Sequence, residues 1–333
     1  MKILAGDIGG TKSELAIFDT EQPKVLQFGM GFLNHEQANL ISMLRNFIAN
    51  AGMPIQAACL AVAGAVREGR CQMPNLPWVL DEQEIGAALG VEQVTLINDL
   101  VATAHGMLTL PPEQLVLINP GVPEAKGNLA LIAAGTGLGE AILFHHEKDG
   151  YQVAASEGGH VDYAPNNEEE IELLRYLWSR FDHVSWERVV SGLGLVNIYD
   201  FLAQIEKVTE PTQVTSRIMA AADRAAAIAQ TAQLKQSPRC VQAMDMFLHN
   251  YGAAAGNLAL KALATGGIYI GGGIAPKLPR EIWSGGFMRA FSNKGRFADK
   301  LSNVPVRLIL EPKTALLGAA AYAASWGFVV KRN

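Results

Sequence analysis

A carboxamide and a carboxylate stand side by side at Asn98 and Asp99, between an apolar strand-like segment and a helix-like one. A carboxylate at the end of a strand can accept a proton from a hydroxyl group, while its neighbour fixes the orientation of that group. The opposing interpretation is that Asp99 only caps the following helix, because Asn and Asp are common before helices. The pair alone leaves both interpretations open.

A second set of polar side chains occurs later in the chain. In the segment SEGGH at residues 156–160, two glycines separate Glu157 from His160. Such glycines allow a tight backbone, so both side chains could converge on one small polar ligand. Glu187 could add a further carboxylate. A structural histidine and a solvated surface glutamate are the alternatives for His160 and Glu187.

Glycine-rich turns follow three strand-like segments. Glycines allow backbone N–H groups to approach a bound anion, and threonine adds a hydroxyl donor. Asp7, just before the first turn, could hold Mg²⁺ through water, because hard cations prefer oxygen ligands. Three glycines in the last turn would allow an adenine or a ribose to lie against the backbone. Ordinary tight turns are the alternative in each case. The turn residues are Gly9, Gly10, Thr11 and Lys12, then Gly135, Thr136 and Gly137, then Gly271, Gly272 and Gly273.

The first two glycine turns share their sequence context. GGTKSELAIF begins at Gly9 and GTGLGEAILF begins at Gly135, and both read as turn, strand and an acidic residue near the head of that strand. Two similar phosphate-binding hairpins suggest a duplicated core with a nucleotide between the halves. The second turn is not the six-residue dinucleotide fingerprint, because Glu140 occupies its last position.

Strand-like and helix-like segments alternate through the first 110 or so residues, which favours a βαβ layer architecture. Pro111 and Pro112 mark a boundary, because consecutive prolines interrupt regular structure. The small-residue helix predicted at 315–326 could pack closely between two halves. We therefore expect a small domain from residues 1–110 and about 301–320. The larger domain would contain residues 111–300 and the C-terminal helix.

Composition excludes several classes of protein. The 333 residues are sufficient for two domains, and a formal charge of -5 without a run of Lys or Arg favours neither nucleic acid nor an anionic membrane. The three cysteines, Cys59, Cys71 and Cys240, form no CxxC pair, which predicts reduced thiols rather than zinc ligands. With no signal-like segment and no apolar run of about 18 residues, we expect a cytoplasmic protein.

Six motifs, taken together and in order, resemble those of the bacterial glucokinase family, within the actin-like ATPase superfamily that includes hexokinases. The resemblance implies an α/β, two-domain actin-like ATPase (ribonuclease H-like) fold with the active site in the interdomain cleft, and a homodimer. The motifs are DIGGTK, LINDLVATAHG, AAGTGLGEAILFH, SEGGHVDYAPNNEEE, WERVVSGLGLVNIY and YIGGGIAPK.

The same resemblance implies ATP-dependent phosphorylation of glucose at the 6-hydroxyl, with Mg²⁺ and with Asp99 as the general base. The turns at 9–11 and 135–137 would bind the ATP phosphates, and the turn at 271–273 would lie by the adenosine. Because Glu187 is taken to lie far from every phosphate turn, we expect its substitution to weaken sugar binding more than ATP binding. A kinase for another hexose and a non-catalytic sugar sensor are the alternatives. The implied sugar ligands are Asn98, Asp99, Glu157, His160 and Glu187.

Overall fold

The computed structural model describes residues 1–74, 76–205 and 210–329. They form two compact units, one of Met1–Gln114 with Glu311–Asn333 and one of Leu115–Leu310. This division differs from the predicted one, which gave residues 301–310 to the first domain and the C-terminal helix to the second. The difference arises because residues 306–309 pair in the sheet of the second unit. The C-terminal helix, in contrast, packs within the first unit.

The first unit is built on a five-stranded sheet. Its strands are β1 (Lys2–Ile8), β2 (Lys12–Asp19), β3 (Gln22–Leu33), β4 (Ala57–Val62) and β7 (Gln93–Asn98), while β5 (Arg70–Gln72) and β6 (Val79–Asp81) form a separate pair. The order in the sheet is β3-β2-β1-β4-β7. β1 to β3 are antiparallel neighbours, whereas β4 runs parallel to β1 and β7 parallel to β4. The carboxyl ends of β1, β4 and β7 therefore lie at one edge.

The helices of the first unit cover both faces of this sheet. They are α1 (Leu40–Ala51), α2 (Glu82–Leu89), α3 (Asp99–Met107) and α11 (Thr314–Val329). Successive side chains of β1 point to opposite faces, so Leu4 lies in one apolar cluster and Ile3 and Ala5 lie in another. The cluster around Ile3 includes residues of α11.

Glycines bring α11 directly against α3. A β-carbon on Gly106 would overlap the carbonyl oxygen of Thr314, and one on Gly318 would overlap that of Ala102. Only a residue without a side chain allows two helix backbones to approach so closely. The C-terminal helix is thus part of the first unit, where it fixes the helix that begins with Asp99.

The second unit contains a six-stranded sheet. Its strands are β8 (Leu115–Asn119), β9 (Leu129–Ala134), β10 (Leu138–His146), β11 (Gly150–Ser156), β12 (Gly267–Gly271) and β13 (Val306–Ile309). The order is β11-β10-β9-β12-β13-β8. Because β13 pairs with both β12 and β8, residues 306–309 belong to this unit.

The second unit has one long helix, α8 (Pro238–Ala262), against which several of its other helices pack. Tyr251, in the middle of α8, is fully buried, and its hydroxyl group accepts a hydrogen bond from the N–H of Ala134 at 3.2 Å. The helices are α4 (Glu168–Trp178), α5 (Gly192–Gln204), α6 (Thr212–Ala220), α7 (Arg224–Gln233), α8 (Pro238–Ala262), α9 (Met288–Ser292) and α10 (Ala298–Ser302).

The two sheets repeat one plan. Three antiparallel strands are followed by two parallel ones, as β3-β2-β1-β4-β7 in the first unit and as β11-β10-β9-β12-β13 in the second. The duplicated core that was predicted from the two similar hairpins is confirmed at the level of strand order. The first two glycine turns connect the second and third strands of these orders, β2 with β1 and β10 with β9.

Candidate active site

The first glycine turn, between β1 and β2, is held by Asn34. The side chain of Asn34 donates to the carbonyl oxygen of Gly9 at 2.8 Å and accepts from the hydroxyl group of Ser13 at 2.8 Å. The N–H of Asn34 donates to the carbonyl oxygen of Thr11 at 2.9 Å. Asn34 could not be identified from the sequence, because nothing in the residues around it indicates a return to the first turn.

Asp7 is the penultimate residue of β1, next to this turn, and is partly buried. Burial, and then the negative charges of Asp99 and Glu14, raise the pKa of Asp7 from 3.8 to about 6. Glu14 is the cross-strand partner of Asp7, while Asp99 follows β7 at the same edge of the sheet. Two carboxylates thus repel that of Asp7 at this edge, and a cation would relieve this repulsion.

Asn98 and Asp99 occupy different positions at the start of α3. Asn98 is the N-cap of α3, because its side-chain oxygen accepts from the N–H of Leu100 at 2.9 Å, and its amide group donates to the carbonyl oxygen of Gly64 at 3.2 Å. Asp99 occupies the first turn of α3, where the helix dipole favours a negative charge. Asn98 is therefore the N-cap of α3, and Oδ1 of Asp99 also accepts from the N–H of Leu100 at 2.9 Å.

The second glycine turn, between β9 and β10, is held by Glu187. The N–H of Leu138 donates to Oε2 of Glu187 at 2.9 Å, and the N–H of Gly192 donates to the carbonyl oxygen of Gly135 at 2.8 Å. The expectation that Glu187 lies far from every phosphate turn is wrong. The expectation rested on separation along the sequence. In the structure, the short 3-10 turn at Trp186–Arg188 lies directly on this hairpin.

The third glycine turn lies against the second. A β-carbon on Gly272, whose φ is +86°, would overlap the carbonyl oxygen of Ala134, and the N–H of Gly273 lies 3.9 Å from the β-carbon position of Gly135. The N–H of Ile274 donates to Ala134 at 3.3 Å. Two of the three predicted nucleotide turns are therefore neighbours within the second unit.

A cavity of about 830 Å³ opens beside these two turns. Gly135, Thr136 and Gly273 form one wall, and α5 and α7 form the opposite wall. The cavity could not be predicted from the sequence, because the Ala-rich stretch of α7 is equally typical of a close-packed helix. Its apolar lining with a few polar edges suits a flat base and a sugar. The lining from α5 and α7 includes Leu195, Val196, Arg224, Ala225, Ala229, Gln230 and Gln233.

Glu157 and His160 meet at the start of β10. Glu157 Oε2 lies 4.0 Å from His160 Nε2, and both side chains are mostly exposed. A β-carbon on Gly158 would overlap the Glu140 carboxylate, and one on Gly159 would overlap the carbonyl oxygen of Leu138. The two glycines thus let this segment lie on β10.

Leu138 connects the polar residues of the second unit. Its carbonyl oxygen lies against Gly159 and its N–H is bound by Glu187. The N–H of Trp186 donates to the carbonyl oxygen of Val161 at 3.0 Å, which joins the two segments that carry His160 and Glu187. The structure therefore brings Glu157, His160 and Glu187 together around one end of β10.

Comparison with known proteins decides the family. A family model described as Glucokinase matches residues 4–326. Glucokinase of Nostoc punctiforme is 38% identical over 337 residues, covering 97% of this chain and 98% of that protein. The chain belongs to the glucokinase family. The resemblance seen in the six glucokinase-family motifs is confirmed.

Solved glucokinase structures show the same fold. The crystal structure of glucokinase from an Antarctic psychrotroph has a TM-score of 0.82 at 32% identity, and the match covers 96% of this chain and 98% of that one. A ROK family glucokinase from Streptomyces griseus, in complex with glucose and AMPPNP, has a TM-score of 0.66 at 20% identity and covers 97% of this chain and 99% of that one. The expected α/β actin-like ATPase fold is confirmed.

Metal-binding clusters and helices that could span a membrane are both absent from residues 1–74, 76–205 and 210–329. There, no group of three or more His, Cys, Asp or Glu side chains could hold a metal ion. Among the same residues, no helix is both long enough and apolar enough to span a bilayer. Cys59, Cys71 and Cys240 are buried free thiols, and burial raises the pKa of each.

Proposed function

We propose that Asp99 is the general base with which this member of the glucokinase family transfers a phosphoryl group from ATP to the 6-hydroxyl of glucose. The observation that carries the proposal is the place of Asp99 in the first turn of α3, beside the capping Asn98. Asn98 caps the helix through the N–H groups of Leu100 and Val101, while Asp99 accepts from the N–H of Leu100 with Oδ1. The helix dipole favours its ionised form, which can accept a proton as the phosphoryl group is transferred.

Backbone N–H groups of the two similar turns would bind the ATP phosphates. Gly9 and Gly135 each donate inside their own turn, at 3.1 and 2.9 Å. Among the described residues, no acceptor takes the N–H groups of Gly10, Thr11, Thr136 or Gly137. Paired N–H groups on a glycine turn form a concave site for an anion. The cavity beside Gly135 and Gly273 would take the adenosine.

Mg²⁺ fits the carboxylates of the first unit. Mg²⁺ is usually bound by one or two carboxylates together with substrate phosphates and water. Asp7 would hold the ion through water, and the ion would neutralise charge on the phosphates. Burial, and after it the negative charges of Asp99 and Glu14, raises the pKa of Asp7, and such an ion would offset those charges.

Sugar hydroxyl groups both donate and accept hydrogen bonds, so an amide, carboxylates and an imidazole suit them. We assign Asn98, Glu157, His160 and Glu187 to the hydroxyls other than the 6-hydroxyl. Glu157 and His160 are exposed enough to receive a ligand. Asn98 keeps one amide hydrogen beyond its bond to Gly64. A sugar that leaves these groups unpaired would be rejected strongly.

The test replaces Asp99 and measures ADP formation with and without glucose. Asp99→Asn is expected to keep glucose affinity but to lose at least about 10²-fold in turnover, the lower end for a general base. Asp81→Asn is the matched control, because Asp81 caps α2 in the same unit and Asn is an equally good cap. Near-normal turnover in Asp99→Asn would refute the proposed role. A panel of hexoses in the wild-type assay would identify a preferred epimer.

We further propose that the protein acts in the cytoplasm as a homodimer and supplies glucose 6-phosphate to glycolysis. The three buried thiols are compatible with a reducing compartment. Sedimentation equilibrium tests the dimer, and a single species of 35.7 kDa would contradict it.

A further inference from the structure

Glu187 touches a turn that is proposed to bind phosphate, although it was assigned to the sugar. Its Oε2 accepts the N–H of Leu138 at 2.9 Å, immediately after the turn at 135–137. A β-carbon on Gly137 would overlap the same oxygen. The turn is therefore shaped around this carboxylate, and Gly137 is the residue that leaves room for it.

The segment that carries Glu187 holds the turn at a second point. Ser191 Oγ donates to the carbonyl oxygen of Glu187 at 2.7 Å and accepts from the N–H of Gly194 at 2.9 Å, which caps α5. From the first residue of α5, the N–H of Gly192 donates to the carbonyl oxygen of Gly135 at 2.8 Å. Both ends of the turn are thus tied to one short segment, residues 187–192.

The second carboxylate oxygen of Glu187 remains for a ligand. Among the described residues, no donor reaches Oε1, and the side chain is only half-buried. A carboxylate can accept at both oxygens at once. One side chain can therefore hold the phosphate turn with Oε2 and accept from a sugar hydroxyl with Oε1.

We propose that Glu187 is a positioning residue that couples the two substrates: it fixes the phosphate turn through Leu138 while it binds the sugar. The proposal rests on the proposed function, because it takes the sugar contact from there. A sugar hydroxyl on Oε1 fixes the rotation of the carboxylate, which in turn fixes the N–H groups of Thr136 and Gly137. By linkage, ATP must strengthen sugar binding by the same factor.

The experiment measures AMPPNP affinity by calorimetry, first without sugar and then with saturating glucose. In the wild type, glucose is expected to tighten AMPPNP binding by about 5-fold or more, the lower end of usual coupling between sites. Glu187→Ala should weaken sugar-free AMPPNP binding by about 5-fold and abolish the coupling. Glu187→Gln retains an acceptor for Leu138 and should restore the sugar-free affinity to within about 2-fold.

Glu157→Ala is the matched control, because Glu157 is also assigned to the sugar but contacts His160 rather than a phosphate turn. It should weaken glucose binding and leave sugar-free AMPPNP affinity unchanged. Gly137→Ala is a second test that should leave the fold intact, because the added β-carbon displaces only the flexible end of Glu187. It should weaken both ligands, as Glu187→Ala does.

Unchanged sugar-free AMPPNP affinity in Glu187→Ala and Gly137→Ala would overturn the positioning role, even if glucose binding were lost. An equal loss of sugar-free AMPPNP affinity in Glu157→Ala would also overturn it, because the effect would then not be specific to Glu187. The proposed function fails separately, through absence of glucose-dependent ADP formation in the wild type. The titration with AMPPNP in the absence of sugar does not depend on glucose-dependent ADP formation.

Discussion

The hairpin β1–β2 and the hairpin β9–β10 share a sequence pattern but differ in charge. In each, the first glycine donates inside the turn and the next two N–H groups have no acceptor among the described residues. Counting back from Glu14 and Glu140, the position of Asp7 in the first hairpin is Ala133 in the second. The first hairpin therefore presents N–H groups with a carboxylate, and the second presents N–H groups alone.

Glu14 and Glu140 align in sequence but differ in strand register. Asp7 pairs with Glu14, whereas Glu140 pairs with Ile132, one step out of the equivalent register. Glu14 contributes to the raised pKa of Asp7. Burial raises the pKa of Glu140, which lies under Gly158. Similar sequence thus gives one hairpin suited to a cation and another whose carboxylate, Glu187, comes from elsewhere in the chain.

The largest effect that tests this comparison is expected from Asp7→Asn. If the cation belongs to the first hairpin, turnover should fall on the order of 10²-fold and the Mg²⁺ concentration for half-maximal rate should rise. Glu14→Gln is the matched control, since it removes the neighbouring charge on the same hairpin. Steady-state kinetics over a Mg²⁺ series checks both. An unchanged Mg²⁺ requirement in Asp7→Asn would remove the distinction between the hairpins.

The supports of the two turns should differ in their effect on stability. Asn34→Ala removes side-chain bonds to Gly9 and Ser13 in a buried place, and should lower the free energy of unfolding by about 2 kcal/mol. Ser191→Ala removes the cap of α5 beside the second turn, at about 1 kcal/mol. Asn50→Ala, on the exposed face of α1, is the control. Urea unfolding measures all three, and a larger loss in Ser191→Ala would reverse the order.

The smallest effect is the pH dependence of stability in Asp7→Asn. Since the folded state raises the pKa of Asp7 from 3.8 to about 6, ionisation of the wild type costs stability as the pH rises through this range. The shift allows at most about 3 kcal/mol, and solvent near this partly buried group reduces it to about 1 kcal/mol. Without Mg²⁺, the variant should gain this amount at pH 7.5 and nothing near pH 3.5. A gain that is constant with pH would contradict the assignment.

Local signals in the sequence predicted local structure well. Asp81 followed by Glu84 is the sequence pattern of a helix start and Gly90 that of a helix end, and the structure has Asp81 as N-cap of α2 and Gly90 in the left-handed region with φ +69°. Capping depends on atoms only a few residues apart, so a single sequence contains the necessary information. The two glycine hairpins were found for the same reason.

Contacts between distant segments could not be predicted in this way. Asn34 returns to a turn 25 residues earlier and Glu187 binds an N–H 49 residues earlier, and neither has a neighbouring residue that indicates its partner. The C-terminal helix α11 was assigned to the wrong unit for a similar reason, because its small residues would fit a close contact with many helices. Only the pairing of Gly106 with Thr314 and of Gly318 with Ala102 selects α3.

The glycine contact between α3 and α11 also bears on biosynthesis. All of residues 115–310 are translated between the two segments that make up the first unit. A nascent chain can therefore complete the sheet of the second unit while α3 still lacks its packing partner. We expect the proposed base to reach its final setting only after α11 has been synthesised, so that premature termination before residue 314 yields a chain without a firmly held Asp99.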